Sequence, residues 1–407
     1  MTILAPDETV ILKPFKITHN NKDSLERAVS EIKKAEELYS LESRTFLEST
    51  GIYHFPLFCY LVDCGFNASI INPIITHSTK NGNIRKVKND KIDSKLGLSK
   101  DIPVSQFPAK LVLELRSLTR KYYDLTDERS AHINKLKGDL HTVFPQYLDV
   151  FCDVTGKTST MILRQYGTPD KILRGHKKTM IEKISKASRK GLAKASERYE
   201  KLCAAANAAK TFGCQIDSIY FNIFLTLDLV EKLDSALDSI LNRIRQLITF
   251  NKNEKFIQQI KLLNTIPGVG FLTAVTIMCE IGDFSAFRNP KQLFAYFGLD
   301  PEVNESGKFV GTQLHMSKRG SRIARRAIFA VALASIRTKR NGEGINPYLR
   351  KYYELKSGQK PKMVAIGAVM HKVCNIVFAV LRDEKAFELR SPEEHCKQYQ
   401  RPALAAA

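Results

Sequence analysis

The chain has 407 residues, a mass of 46.0 kDa and a hydrophobic fraction of 43%, which predicts two or three globular domains and excludes a single small module. Its 63 Lys and Arg residues exceed its 42 Asp and Glu residues, and the net charge of +21 favours a polyanionic partner, most often nucleic acid. A solvated basic surface is the alternative. The sequence has no apolar run of membrane-spanning length and no N-terminal signal pattern, so no membrane association and a cytoplasmic location are expected.

The eight cysteines include no Cys-x-x-Cys pair. This pattern predicts reduced, mostly buried thiols and indicates neither a disulfide framework nor a zinc site.

Residues 1–107 alternate between strand-like and helix-like segments and predict an α/β domain. The strands are expected at 9–18, 44–50 and 67–72. The helices are expected after Asn20-Asn21, on the apolar spacing from Leu25 to Leu38, and at 55–64.

Residues 108–258 predict long helices, including 110–144, a strongly basic helix at 177–201 and a third helix at 219–248. The basic helix is either a solvated face or a surface that lies along phosphates. In 219–248, apolar residues recur at nearly every fourth position: Leu225, Leu229, Leu233, Leu237, Leu241 and Ile244. This spacing predicts a helical hairpin or coiled-coil arm that packs on itself or on a second subunit. Residues 259–392 predict a compact, mainly helical domain, and 393–407 a tail.

A Pro-Gly-x-Gly turn at 266–270 opens the helical stretch 271–281. In helix-hairpin-helix elements, glycines such as Gly268 and Gly270 let backbone N–H groups approach a DNA phosphate. A tight turn between packed helices is the alternative.

A basic cluster follows the serine-containing turn 304–308. Ser306 is either an ordinary turn residue or a nucleophile, which would need a neighbouring charge clamp. The candidates for that clamp, and for phosphate binding, are Lys308, Lys318, Arg319, Arg322, Arg325 and Arg326. The last three have the spacing of one helix face, and a solvated basic face is the alternative.

Three acidic residues are candidates for a metal site. Glu48 lies near the end of a predicted strand, and Asp90 and Asp93 have a spacing that places both carboxylates on one side of a helix start. Carboxylates gathered at strand ends are what two-metal phosphoryl transfer requires. Ordinary surface residues are the alternative.

Several short segments form an ordered pattern along most of the chain. In the first part they are 48–53 (Glu-Ser-Thr-Gly-Ile-Tyr), 71–73 (Ile-Asn-Pro) and 88–93 (Lys-Asn-Asp-Lys-Ile-Asp). In the last part they are 266–270, 282–283, 294–299 with Pro301, 305–307 and 316–320. This pattern resembles the DEDD transposase family of bacterial and archaeal insertion sequences, which is related to the Piv-type invertases.

The resemblance implies an RNase H-like (RuvC-like) nuclease domain at 1–107, a helical linker with a coiled-coil arm at 108–258 and a transposase domain at 259–392. It implies recombination of double-stranded DNA, with four acidic residues that hold Mg²⁺ and a serine that forms a phosphoserine intermediate. Carried over, Glu48, Asp90 and Asp93 are metal ligands and Ser306 is the nucleophile. In family members a structured non-coding RNA pairs with target and donor DNA, so a guide RNA is an expected partner. The arm predicts a homo-oligomer, and the DNA substrate a nucleoid location in a prokaryote.

The sequence departs from the family at one position. The family's first aspartate lies in an N-terminal Gly-Ile-Asp-like motif that has no match here, and Asp7 falls in an Ala-Pro-Asp turn. We therefore expect that the chain starts late, that its RNase H-like sheet lacks the first strand, and that the 407-residue form cleaves DNA poorly.

Two other functions remain open. One is a catalytically impaired nucleic-acid-binding remnant, and the other is a RuvC-like junction nuclease that uses metal ions alone and for which Ser306 is incidental.

Overall fold

The computed structural model describes residues 1–7, 9–48, 53–71, 110–301, 305–306, 309–310, 315–391 and 393–394. The chain divides into two compact units, Met1–Ala109 and Lys110–Ala407. The described residues are mostly helical, with few strands.

The N-terminal unit has a strand–helix–strand arrangement. Its elements are β1 (Ile3–Leu4), β2 (Val10–Leu12), α1 (Lys22–Tyr39), β3 (Arg44–Glu48), α2 (His54–Asp63) and β4 (Asn67–Ile71). Strands β3 and β4 are parallel and are connected through α2, whereas β1 and β2 form a separate antiparallel pair. A small core contains Phe58 and Leu61 of α2 and Ile32 of α1. This is the α/β pattern that the sequence predicts.

The boundaries of these elements follow local signals. Helix α1 begins after Asn21, whose side chain accepts a hydrogen bond from the Ser24 N–H, as an N-cap does. The strand predicted at 9–18 is shorter than expected and ends at Leu12, because Pro14 has no N–H to offer a sheet.

The C-terminal unit contains thirteen α-helices, one 3₁₀ turn and one short hairpin in its described part. The first seven helices are α3 (Lys110–Val143), α4 (Tyr147–Val150), α5 (Lys157–Gln165), α6 (Pro169–Arg174), α7 (Lys177–Ser188), α8 (Gly191–Phe212) and α9 (Asp217–Phe250). After them come α10 (Lys255–Leu263), α11 (Phe271–Ile281), the 3₁₀ turn Phe284–Ala286, α12 (Pro290–Tyr296), β5 (Glu305–Ser306), β6 (Phe309–Val310), α13 (Arg322–Ser335), α14 (Pro347–Ser357) and α15 (Lys362–Asp383).

Helices α3 and α9 pack along each other as a long antiparallel pair. Leu115 near the start of α3 shares a core with Ile244 near the end of α9, and Leu136 of α3 shares another core with Ile223 of α9. Arg129 of α3 pairs with Asp234 of α9, with 2.5 Å between Nε and Oδ1. A helical arm is therefore present, and a coiled coil in the strict sense stays a prediction.

The buried face of α9 differs from the predicted leucine repeat. Leu225 and Leu229 are 46% and 43% exposed, while Ile223, Leu227 and Val230 are buried. The predicted spacing of four drifts around a helix of 3.6 residues per turn, so one row of leucines cannot stay on the inner face.

Helices α4 to α8 form an insert between α3 and α9, with a core that includes Tyr147, Ile162 and Leu202. The basic helix predicted at 177–201 is wrong as one element, because it is two helices, α7 and α8. The break follows from the backbone: Arg189 adopts a left-handed φ of 54° and Gly191 a φ of 75°.

The remaining helices surround a core built on α11 and α15, whose buried residues include Ile277, Val373 and Val377. By length and composition α15 is the one helix among the described residues that could cross a membrane. The sequence analysis overlooked this segment. Ten of its residues are buried in the core, as expected of a central core helix.

The cysteines differ in part from expectation. All seven in the described part are free thiols, but only Cys279 and Cys374 are buried, and Cys64, Cys152 and Cys214 are exposed.

Candidate functional site

Of the three predicted metal-binding carboxylates, only Glu48 lies among the described residues. Glu48 is the last residue of β3, where its backbone lies opposite Ile71 of β4. Asp90 and Asp93 lie outside the described residues. Within the described ranges, no three His, Cys, Asp or Glu side chains are grouped closely enough to hold a metal ion. The metal site therefore stays a prediction.

Ser306 lies in a short antiparallel hairpin. Glu305 is opposite Val310, and Ser306 is opposite Phe309, so only Gly307 and Lys308 separate the two strands. Lys308 itself lies outside the described residues. Gly307 lies outside them as well, and the role of Ser306 stays a prediction.

The described segments on either side of this hairpin in the chain are joined by hydrogen bonds. Pro301 and Met316 form an isolated antiparallel bridge. Just below it, the Ser317 N–H donates to the Asp300 carbonyl at 2.8 Å, and the Ser317 Oγ lies 2.6 Å from the Asp300 Oδ1. The Lys318 N–H donates to the Gly298 carbonyl at 3.1 Å. Residues 317–318 are therefore tied to 298–300, the described segments that follow and precede the serine hairpin in the chain.

Two glycines allow the close backbone contact beneath residues 317–321. Gly298 has a φ of 64°, and a Cβ on Gly320 would lie 1.9 Å from the Tyr296 carbonyl oxygen. Arg325 closes the contact, because its Nη1 donates to the Phe297 carbonyl at 3.1 Å and to the Gly320 carbonyl at 2.8 Å. Only glycine fits at these positions.

The structure divides the predicted phosphate clamp. Arg325 faces inward to the glycine contact, and Arg326 of α13 pairs with Asp127 of α3 at 2.7 Å. Lys318, Arg319 and Arg322 are exposed and have no ion pair among the described residues. Three of the predicted cations can therefore meet a ligand freely, whereas Arg325 and Arg326 are used within the protein.

The turn between α10 and α11 combines both interpretations of the Pro-Gly-x-Gly segment. A Cβ on Gly268, whose φ is 97°, would lie 2.6 Å from Ser335 Oγ, which donates to the Pro267 carbonyl at 3.0 Å. Gly268 therefore serves a tight turn packed on α13. Gly270 faces open space, and no side chain caps the start of α11 there, so this glycine is the one that leaves N–H groups accessible.

A buried carboxylate that the sequence analysis missed stabilises the start of α13. Glu280, at the end of α11, has a side chain only 2% exposed. It accepts two hydrogen bonds from Arg120 of α3, at 2.8 Å from Nε and 2.9 Å from Nη2. It accepts a third at 2.7 Å from Ser321, the N-cap of α13. Burial raises the pKa of Glu280, but the bonds from Arg120 and Ser321 outweigh burial, so its pKa is below the ordinary value.

The sequence contains one signal for Glu280, which is that it is the single charged residue of the apolar helix Phe271–Ile281. A charged residue buried in such a helix needs a partner. The partner, Arg120, lies 160 residues away in sequence, and one sequence cannot identify it.

Two family profiles match parts of the chain. Residues 1–145 match a transposase profile of the DEDD type from IS110 elements, and residues 260–354 match the profile described as transposase IS116/IS110/IS902 family. Both profiles describe transposases. The chain belongs to the IS116/IS110/IS902 transposase family.

Three relatives illustrate the similarity. An uncharacterized 43.6 kDa protein of insertion element IS110 from Streptomyces coelicolor is 23% identical over 286 residues, 70% of this chain and 66% of the relative. A pilin gene-inverting protein from Moraxella bovis is 30% identical over 177 residues, 43% of this chain and 52% of the relative. The transposase for insertion sequence element IS1111A from Coxiella burnetii is 26% identical over 188 residues, 45% of this chain and 50% of the relative. The matches thus span less than two thirds of each of these relatives.

Proposed function

We propose that the chain is a DNA transposase or site-specific recombinase that breaks and rejoins double-stranded DNA, with Ser306 as nucleophile. The observation that carries the proposal is the serine hairpin itself. In the chain it is flanked by Asp300 and Ser317, which are hydrogen-bonded to each other, and the next residues, Lys318 and Arg319, are exposed cations with no internal partner in the described part. Family membership supports the same reaction class.

The proposed reaction has two steps. The Ser306 hydroxyl loses its proton and attacks phosphorus, so an Oγ–P bond forms and the bond from phosphorus to the leaving strand breaks, releasing that strand as a hydroxyl. A hydroxyl of the second strand then attacks the phosphoserine, which forms a new phosphodiester and restores the serine. Lys318, Arg319 and Arg322 stabilise negative charge on the phosphate oxygens.

Glu48, Asp90 and Asp93 are the residues that would hold Mg²⁺, since carboxylate oxygens are the ligands this ion prefers. The bound ion would act as a Lewis acid on the phosphate.

The finer fold and the partners belong to the same proposal. The parallel β3–α2–β4 arrangement supports an RNase H-like N-terminal domain. The accessible helix start at Gly270 supports a helix-hairpin-helix contact with the DNA backbone. The net charge of +21 supports DNA and a structured guide RNA as partners, and a nucleoid location.

The test is a strand-exchange assay with a duplex carrying both ends of the encoding element, its target and the RNA transcribed from the element. It is run with the chain as printed and with the chain extended by the in-frame codons directly upstream. Joined product from either form supports the proposal. If both forms bind DNA but give no product, the proposal fails and the chain is a nucleic-acid-binding remnant.

Metal removal should stop this reaction. We expect EDTA to abolish product, Mg²⁺ to restore it, and Asp90→Asn to lower the rate about 100-fold or more, because the carboxylate ligands are lost. Glu37→Gln, which removes an exposed carboxylate from α1, is the matched control and should react like the wild type. Undiminished product in EDTA would remove the metal from the proposal.

Self-association through the arm is the second expectation. Leu225 and Leu229 are exposed on one stripe of α9, so Leu225→Ser with Leu229→Ser should shift a dimer to monomer without loss of helix content. Leu355→Ser with Val364→Ser removes two other exposed apolar residues and is the control. Light scattering measures the mass, and a wild-type chain that is monomeric with and without DNA would contradict the expectation.

A further inference from the structure

The turn between α7 and α8 carries a group of closely spaced cations. Lys186, Arg189, Lys190 and Lys194 define this basic turn, and all four are exposed. The turn belongs to the helical insert, which lies between the two matched family segments 1–145 and 260–354. It is therefore separate in sequence from the serine hairpin.

Neighbouring cations on the same helices are used internally. Lys177 pairs with Glu200 at 3.9 Å, and Lys201 pairs with Glu197 at 2.7 Å. Lys183 lies over the ring of Tyr166. By contrast, no ion pair or ring contact involves the four cations of the basic turn within the part of the chain that the structure describes. Apart from Lys178 near the start of α7, the cations of these two helices that lack such a partner in the described part of the chain lie at the tip of the hairpin.

Folding stability accounts for this placement only in part, because Lys186 in the last turn of α7 favours the dipole of that helix. Lys190 and Lys194 stand at the start of α8, where positive charge opposes the helix dipole, and that first turn has neither an acidic residue nor a side-chain cap. Arg189 occupies a left-handed position, with a φ of 54°, that glycine or asparagine adopts more easily. An external anion would offset these costs.

The chemistry of the turn identifies the anion. Lysine ammonium groups are mobile point charges, which suit phosphates without reading bases. Leu192 is the one large apolar side chain exposed in this turn, too little for a membrane surface, which needs a broad apolar face. We propose that the basic turn binds the phosphate backbone of double-stranded DNA outside the strand-exchange site, independently of sequence. This inference rests on the proposed function for its choice of DNA.

The test compares two variants that lose the same charge from the same insert. The first is Lys186→Gln, Arg189→Asn, Lys190→Gln, Lys194→Gln, in which asparagine suits the left-handed position. The second is Lys177→Gln, Lys183→Gln, Lys201→Gln, Lys210→Gln, whose lysines already have internal partners. Binding to a duplex of about 30 base pairs without element sequence is measured between about 50 and 200 mM salt.

We expect the first variant to lower the slope of log affinity against log salt by about 2–4, and to weaken binding about 10-fold or more at the lower salt. The second should change the slope by less than about 1. Equal losses in both would mean that bulk charge alone acts, and would overturn the proposal. A larger loss for duplex RNA than for DNA would overturn it as well.

The measurement uses full-length chain carrying Ser306→Ala, so binding is read without any reaction. Failure of strand exchange in the wild type leaves this binding result intact, and the two proposals fail separately. Circular dichroism controls for folding, and we expect the first variant to melt close to its parent, because the loss of cations from the start of α8 offsets the loss of Lys186 from the end of α7.

Discussion

Replacement of Ser306 by alanine should abolish DNA joining, with a fall in rate of at least about 10⁴-fold, because no other group can form the covalent phosphoserine. DNA affinity should change little, since Lys318, Arg319 and Arg322 remain in place. Strand exchange is measured under single-turnover conditions with element ends and target. Ser239→Ala, which removes an exposed serine hydroxyl from α9, is the matched control and should keep full activity.

A covalent intermediate gives the same prediction a second readout. Protein with end-labelled DNA, stopped in denaturing detergent, should show a protein–DNA adduct that Ser306→Ala lacks and Ser239→Ala keeps. If Ser306→Ala still cleaves DNA and no variant forms an adduct, the chain is a metal-dependent junction nuclease and the serine recombinase proposal is wrong. The adduct therefore separates two reactions that share the carboxylates.

Local signals predicted the N-terminal elements well. Asn21 caps α1, and strands β3 and β4 and helix α2 lie within two residues of their expected bounds, because caps, glycines and apolar runs act over a few residues. The sequence also places Ser306 next to residues that favour turns, and it lies in the short β5–β6 hairpin, since turn signals act locally.

Other features depend on contacts that one sequence does not contain. The inner face of α9 is chosen by packing on α3, so Ile223 and Val230 are buried instead of Leu225 and Leu229. Arg189 breaks the basic helix although arginine itself is a good helix former.

The division of the arginine cluster has the same origin. Spacing alone makes Arg322, Arg325 and Arg326 equivalent, whereas tertiary partners leave only Arg322 available to a ligand. Arg325 points inward because its side chain donates to the carbonyls of Phe297 and Gly320. These tertiary contacts cannot be read from a single sequence.

The Glu280 network couples two parts of the C-terminal unit. Ser321 caps α13 and also donates to Glu280, so the carboxylate holds the helix whose first residue, Arg322, is one of the free cations. Arg120 ties the same carboxylate to α3, and Arg116 donates from α3 to the Cys279 carbonyl at 2.7 Å. The arm thus stabilises the start of α13.

Arg120→Met should destabilise the C-terminal unit by about 2–3 kcal/mol, because it leaves the Glu280 carboxylate buried without its cation. Half of the Arg120 side chain is exposed, which places the cost below that of a fully buried pair. Arg129→Met is the matched control on the same helix. Its partner Asp234 is 47% exposed and returns to water, so that loss should stay below about 1 kcal/mol.

The contribution of Glu280 to stability should depend on pH with opposite sign in the wild type and in Arg120→Met. In the wild type the pKa of Glu280 is lowered, so its contribution to stability is present above its ordinary pKa near 4.5 and is lost as pH falls through the folded value. In Arg120→Met the Ser321 bond and the charge of Arg116 still lower the pKa of Glu280, but burial has the largest effect, and we expect it to raise this pKa above the unfolded value. The loss of stability caused by the buried, charged carboxylate should then be full at neutral pH and shrink as pH falls towards 5.

Urea unfolding followed by circular dichroism measures both effects, since the chain has no tryptophan. Adding Glu280→Gln to Arg120→Met should recover part of the loss at neutral pH, because the neutral amide carries no buried charge. Equal losses of unfolding free energy in Arg120→Met and Arg129→Met, both independent of pH, would contradict this prediction. Burial of Glu280 would then not be the reason that it needs Arg120.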